Sequence, residues 1–274
     1  MPPQTPTVIP VIINTAGTVT CGSNRMLFTL QDSQGTPVGA PDRTASIAFY
    51  DLGADPKQPV AQSEGTFVWA IEGAVGIYVA NISFPTAGRY GAEVTTAAGG
   101  AAPEVIRLTL DVQPDSPLVG VGDPAPASKT PTLADVGGDV AKLSTDKTPE
   151  PAFYQTSIDQ ALAAKKPFVV IFATPKFCRT GQCGPTLDRV KPFVARYPTV
   201  TFINVEPYEL KFENGSLQPV LDANNDLEPV AATAEWHLFN EPTVYVVNRE
   251  GVVTANFDLI FSDAELTAAL DGVK

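Results

Sequence analysis

Two of the three cysteines in this 274-residue chain, Cys178 and Cys183, stand close enough to act together. Arg179-Thr180-Gly181-Gln182 separates them, and Gly181 gives the turn freedom that lets two sulfurs meet. Such a pair can cycle between dithiol and disulfide, pin a loop, or hold a soft metal ion through its thiolates. Cys21 is remote in sequence and reads as a lone, inert thiol in or beside an early strand. His237 is the only histidine, which speaks against a four-ligand zinc site. Its plain reading is an exposed or helix-end residue. No paired carboxylates, phosphate-cradling glycine loop or Ser-His-Asp pattern occurs in a specific arrangement.

The elements around the pair decide how it would work. Phe168-Val169-Val170-Ile171-Phe172-Ala173 is a continuous apolar run, suited to a central strand buried on both faces. Residues 185–197 are amphipathic, with Leu187, Val190, Phe193 and Val194 on one helical face. The cysteines therefore fall between a strand end and a helix start, with Cys183 expected just before the helix. The positive end of the helix dipole and its unpaired N–H groups favour a thiolate there, and Lys176 and Arg179 add positive charge. Cys178, in the preceding turn, should be the more exposed sulfur.

Around this centre, periodicity alternates between helix and strand. Residues 156–164 read as a helix opened by Thr-x-x-Asp, 200–205 as a strand, 230–237 as a helix. Residues 243–247 and 252–258 read as a hairpin turning near Arg249-Glu250-Gly251, and Ser262-Asp263-Ala264-Glu265 as the capping box of a last helix. The stretch 208–229 is long for a connection and carries Glu209, Glu213, Asp222, Asp226 and Glu228. It reads either as a solvated insertion or as a partner-binding loop.

The front of the chain is different. Residues 1–113 hold short strands separated by Gly, Pro and Asp, and Ile106-Arg107-Leu108-Thr109-Leu110-Asp111-Val112 alternates with the period of a half-buried strand. This pattern, without helical stretches, predicts an all-β sandwich. Residues 114–150 are proline-rich with few large apolar side chains, which predicts an extended, semi-rigid linker.

Phe172-Ala173-Thr174-Pro175-Lys176-Phe177-Cys178, Cys183-Gly184-Pro185, Glu241-Pro242-Thr243-Val244-Tyr245-Val246-Val247 and Asn248-Arg249-Glu250-Gly251 together resemble the thioredoxin-like superfamily across residues 151–274. Val121-Gly122-Asp123-Pro124-Ala125-Pro126 is similar to the lead-in of TlpA-like domains. The resemblance implies an α/β thioredoxin-like domain, an attacking Cys178, a resolving Cys183 and a cis Pro242. It also brings Glu241 toward the sulfurs, where a carboxylate would disfavour thiolate. The spacing departs from the usual Cys-x-x-Cys, and the family's buried acid falls near Val169 or Val170 and so is lacking there. Sco-type copper chaperones are similar in their lengthened motif, which implies copper at Cys178, Cys183 and His237, although the family's histidine position falls near Asn240. In the front unit, Thr86-Ala87-Gly88-Arg89-Tyr90 resembles the tyrosine corner of immunoglobulin folds, without the cysteine of the antibody intersheet disulfide.

A net charge of −12, spread through both halves, argues against nucleic acid and anionic membrane surfaces as partners. No apolar run is long enough for a membrane helix. Met1-Pro2-Pro3-Gln4-Thr5-Pro6-Thr7 lacks a signal-peptide pattern. The expectation is an extracytoplasmic protein whose export signal or anchor has been removed, with a cytosolic protein as the alternative. The leading expectation is an exported thiol–disulfide oxidoreductase acting on protein thiols or disulfides, with no cofactor beyond its own disulfide. Its rivals are a cell-envelope binding or structural protein with a thioredoxin-like fold, and a copper chaperone.

Overall fold

The computed structural model describes residues 6–13 and 19–274. The chain divides into two compact units, Met1–Ser116 and Pro117–Lys274.

The first unit is all-β among its described residues. Its strands are β1 (Val8–Ile12), β2 (Gly22–Asp32), β3 (Thr44–Asp51), β4 (Ala61–Glu64), β5 (Thr66–Ile71), β6 (Val75–Phe84), β7 (Gly88–Ala97) and β8 (Glu104–Val112). They form two antiparallel sheets, ordered β1-β2-β6-β5 and β4-β3-β7-β8. Met26, Phe28 and Leu30 of the first sheet share one core with Ile47, Phe49 and Val94 of the second. That is the packing expected of a β-sandwich. The period-2 pattern of β8 is obeyed, with Ile106, Leu108 and Leu110 turned inward and Arg107 and Thr109 outward. Tyr90 is buried in the core and its hydroxyl donates to the carbonyl oxygen of Thr86 at 2.8 Å. Cys21 is a free, half-buried thiol at the edge of β2.

In the second unit the order is α1 (Ile158–Ala163), β9 (Phe168–Phe172), α2 (Cys183–Arg196), β10 (Thr201–Val205), β11 (Leu210–Glu213), β12 (Ser216–Pro219), α3 (Ala231–Glu235), β13 (Thr243–Val247), β14 (Val253–Asp258) and α4 (Asp263–Asp271). Its main sheet runs β10-β9-β13-β14, with β9 and β10 parallel and β13 antiparallel to both β9 and β14. Alternate residues of β9 serve opposite faces. Val169 and Ile171 pack with Leu187, Val190 and Phe193 of α2 and with Leu266 and Leu270 of α4. Phe168, Val170 and Phe172 pack on the other face with Ile158 of α1 and with Trp236, which follows α3. Every residue of β9 is buried, as its uninterrupted apolar run requires. The first helix is capped one residue later than the sequence suggests, by Ser157 boxed with Gln160 rather than by Thr156.

One sequence expectation is corrected here. Residues 117–150 are not an extended linker but part of the second unit. Pro124 bridges Val252, and Ala125 N–H donates to Gly251 O at 2.8 Å, so the proline-rich lead-in lies along the open β14 side of the sheet. Proline suits such an edge, where a missing N–H breaks no ladder. Further on, Ser128, Thr130, Thr132 and Ser144 are all buried. The stretch 208–229 is largely exposed, as a solvated insertion should be, and within it β11 and β12 form a hairpin whose turn is Asn214-Gly215, both with positive φ. This Asn-Gly turn was the available sequence signal.

Candidate functional site

β9 ends at Phe172 and α2 begins at Cys183, so the turn carrying the cysteines leaves the carboxyl end of a central strand. Cys178 and Cys183 are joined by a disulfide, with Cα atoms 6.0 Å apart. Gly181 takes a positive φ of 72°, the turn freedom its position requires. The two sulfurs are not equivalent. Cys183 is the first residue of α2, not its predecessor, and is fully buried in the core against that helix. Cys178 is half-buried and accepts a hydrogen bond from the Cys183 backbone N–H at 3.2 Å. The first turn of a 14-residue helix therefore directs a free N–H at the more exposed sulfur. Thr180 Oγ1 lies 3.3 Å from the same atom.

Pro242 follows a cis peptide bond from Glu241, and Thr180 Oγ1 donates to the Glu241 carbonyl oxygen at 3.1 Å. The Glu241 side chain is buried and points at the turn. Its Oε1 accepts the Arg179 N–H at 3.0 Å and its Oε2 accepts the Tyr208 hydroxyl at 2.9 Å. Burial, and then the bond to that carboxylate, push the Tyr208 hydroxyl up to about 12. Glu241 thus clasps the cysteine turn from the segment before β13. Arg179 also faces Asp226 at 3.8 Å, but both side chains are solvated and the pair carries little energy.

The turn is anchored on its other side as well. Lys176 N–H donates to Thr145 Oγ1 at 3.2 Å, and Lys176 Nζ reaches Leu217 O of β12 at 2.7 Å. Thr145 in turn donates from both its N–H and its hydroxyl to Glu206 Oε1, at 2.6 and 2.8 Å. Val169 and Val170 are apolar and buried, yet a half-buried acid stands just past the end of another strand. Glu206 follows β10, and burial pushes its carboxyl up to about 7, against the opposing bonds from Thr174 and Thr145. No sequence signal marks this residue, because its burial comes from chain segments folded over it.

A raised acid has a definite signature in stability. Between the ordinary carboxyl range and about pH 7, the folded chain keeps a proton that the unfolded chain has released. Stability should therefore fall as pH rises through that window and level off above it, by up to about 3 kcal/mol. Glu206→Gln should remove this slope, so that urea unfolding finds the variant gaining on the wild type between about pH 5 and about pH 8. A difference that is the same at both pH values would show that Glu206 does not carry the effect.

His237 is not brought into this arrangement. It is exposed, with φ of 50°, at the end of α3. Among the described residues, no group of three His, Cys, Asp or Glu side chains gathers as a metal would need. The copper set Cys178, Cys183 and His237 is therefore not assembled in this structure.

No family model matches the chain, and no curated protein matches it. Among solved structures, a DUF4426 family protein from Pseudomonas aeruginosa PAO1 is similar at 15% identity and a TM-score of 0.28, over 40% of this chain and 91% of that one. MtrC from Shewanella baltica OS185 is similar at 12% identity and a TM-score of 0.25, over 55% of this chain and 28% of that one. Likenesses this loose carry no functional argument.

Proposed function

We propose that the second unit is a thioredoxin-like thiol–disulfide exchange domain, with Cys178 attacking and Cys183 resolving. The observation that carries this reading is the asymmetry of the pair. One sulfur is half-exposed and takes the N–H of a helix's first residue, while the other is sealed in the core. A hydrogen bond and dipole aimed at Cys178 stabilise its thiolate, and access lets it meet another sulfur. The sheet order, the helices on both faces and the cis Pro242 opposite the pair also support the thioredoxin-like reading.

In the reducing direction, the Cys178 thiolate attacks one sulfur of a substrate disulfide. A mixed disulfide forms and the other substrate sulfur leaves as thiolate. Cys183, once deprotonated, attacks Cys178 Sγ, breaks the mixed disulfide and expels the second substrate thiolate. Two electrons have passed to the substrate, and the protein is left with the intramolecular disulfide. A dithiol reductant restores it, and the reverse sequence oxidises a substrate dithiol. The β-rich first unit, read as immunoglobulin-like from its two sheets and tyrosine corner, would act as a spacer or docking module. An extracytoplasmic location fits a persistent disulfide.

A second reading rests on the clasp. Arg179, Thr180 and Tyr208 all bond to Glu241, and a turn so held suits a disulfide that only pins a loop. The reduction potential of the Cys178–Cys183 pair separates the two. A value above about −300 mV marks an exchangeable pair, and one below it marks a structural bond.

A further inference from the structure

Thr180 sits between the two cysteines, and its single hydroxyl faces three groups. Oγ1 donates to Glu241 O at 3.1 Å, accepts the Gln182 N–H at 3.3 Å, and lies 3.3 Å from Cys178 Sγ. A disulfide sulfur carries no proton, so any bond between Oγ1 and this sulfur must be donated by the hydroxyl. The hydroxyl has one proton to give, and both the carbonyl oxygen and the sulfur lie within its reach. While the disulfide is closed, the sulfur is neutral and a weak acceptor, and the carbonyl takes the proton. Once the disulfide opens, Cys178 can carry a full negative charge, and a hydrogen bond to an ionised group is roughly twice as strong as a neutral one. The order of preference then reverses.

We propose that Thr180 is a catalytic residue of the exchange reaction, its hydroxyl turning from Glu241 O to Cys178 Sγ when the disulfide opens and stabilising the thiolate there. This role rests on the thiol–disulfide reading of the pair. Together with the Cys183 N–H at 3.2 Å, the hydroxyl gives the more exposed sulfur two donors. The bond to Glu241 O is only part-buried, so water can serve that oxygen once the hydroxyl turns away. Thr180 keeps its proton throughout, and no covalent bond to it forms or breaks. In the reducing direction it stabilises Cys178 as the attacking thiolate. In the oxidising direction it stabilises Cys178 as the thiolate that leaves the mixed disulfide, while the substrate's second sulfur closes the substrate disulfide.

The test compares reduced, full-length wild type, Thr180→Val and Thr180→Ser by iodoacetamide alkylation across pH, read at Cys178 by mass spectrometry. Valine keeps the shape and loses the hydroxyl, whereas serine keeps the hydroxyl. Thr180→Val should raise the Cys178 pKa by at least about half a unit. Well below that pKa, its single-turnover rate with hydroxyethyl disulfide should fall about twofold, the lost thiolate being partly offset by a more nucleophilic sulfur. Thr180→Ser should match the wild type in both. The charged and titratable groups around the turn, Lys176, Arg179, Tyr208, Asp226 and Glu241, are common to all three proteins, so the difference isolates the hydroxyl. Equal pKa values in wild type and Thr180→Val, or equal rises in Thr180→Val and Thr180→Ser, would overturn the assignment. Alkylation needs no exchange partner. An unchanged pKa with exchange intact therefore overturns the role of Thr180 alone, whereas alkylation without exchange in the wild type overturns the reading of the pair and this role with it.

Discussion

Cys178→Ser should reduce disulfide-exchange activity to the rate of buffer alone, whereas Cys183→Ser should complete one half-reaction and stop. The difference follows from the geometry of the pair. Cys178 is the reachable sulfur and the one that takes the Cys183 N–H, so its loss removes both the nucleophile and the group that the helix stabilises. Cys183 is fully buried and has access to one sulfur, that of Cys178. Without it, Cys178 still attacks, but nothing expels the substrate. The Cys183→Ser protein should therefore accumulate a mixed disulfide, one substrate per chain, visible on a non-reducing gel and by mass spectrometry. Trapping by Cys178→Ser instead would reverse the assignment. Trapping by neither, with a potential below about −300 mV, would make the bond structural.

Glu241 tests the same site by a subtler route. Its carboxylate both charges the neighbourhood of the pair and holds Arg179 N–H and the Tyr208 hydroxyl. Glu241→Gln removes the charge and keeps an acceptor, so the Cys178 pKa should fall and attack should quicken. Glu241→Val removes both functions and leaves a part-buried N–H and hydroxyl without their partner, which should loosen the turn and lower stability by about 1 kcal/mol. Thiol alkylation rates against pH measure the first effect, and urea unfolding of the disulfide form measures the second. Identical pKa values in wild type and Glu241→Gln would show that the carboxylate does not act on the sulfur.

What the sequence made legible, and what it hid, follow one physical line. Local rules worked wherever local residues decide the outcome. The apolar run of β9, the alternation of β8, the Ser262 capping box and the closeness of Cys178 to Cys183 were all readable, because each is set by a few neighbouring residues. Composition failed where tertiary contact decides. The prolines of residues 117–150 suggested a free connector, but the edge beside β14 accepts a chain that lacks N–H groups. Glu206 and Tyr208 looked like ordinary loop residues after β10. They become site residues only when Thr145 folds against Glu206 and Glu241 against Tyr208.

The sharpest consequence concerns where the second unit begins. A fragment of residues 117–274 should fold cooperatively, and a fragment of 151–274 should not. Residues 117–150 supply partners that the rest cannot replace. Thr130 N–H donates to Ser157 Oγ at 2.9 Å and Asp159 N–H to Ser128 O at 3.0 Å, which fixes the start of α1. The Trp236 indole N–H donates to Ser128 Oγ at 3.2 Å, and Ser144 and Thr145 satisfy Tyr154 and Glu206. Val119, Ala125 and Leu143 are buried in the two faces of the core. Deleting the segment leaves several buried donors and acceptors without partners, at about 1–3 kcal/mol each. The sum is on the order of 10 kcal/mol, comparable with the whole stability of an ordinary domain, about 5–15 kcal/mol. The short fragment should show no cooperative thermal transition by circular dichroism and poorly dispersed amide resonances, while the long one keeps both. Limited proteolysis of the intact chain should correspondingly spare residues 119–150. Equal melting of the two fragments, or early cleavage throughout 119–150, would restore the segment to a mere connector, because a stretch that holds Trp236, Tyr154 and Glu206 in place cannot be dispensable to the fold that buries them.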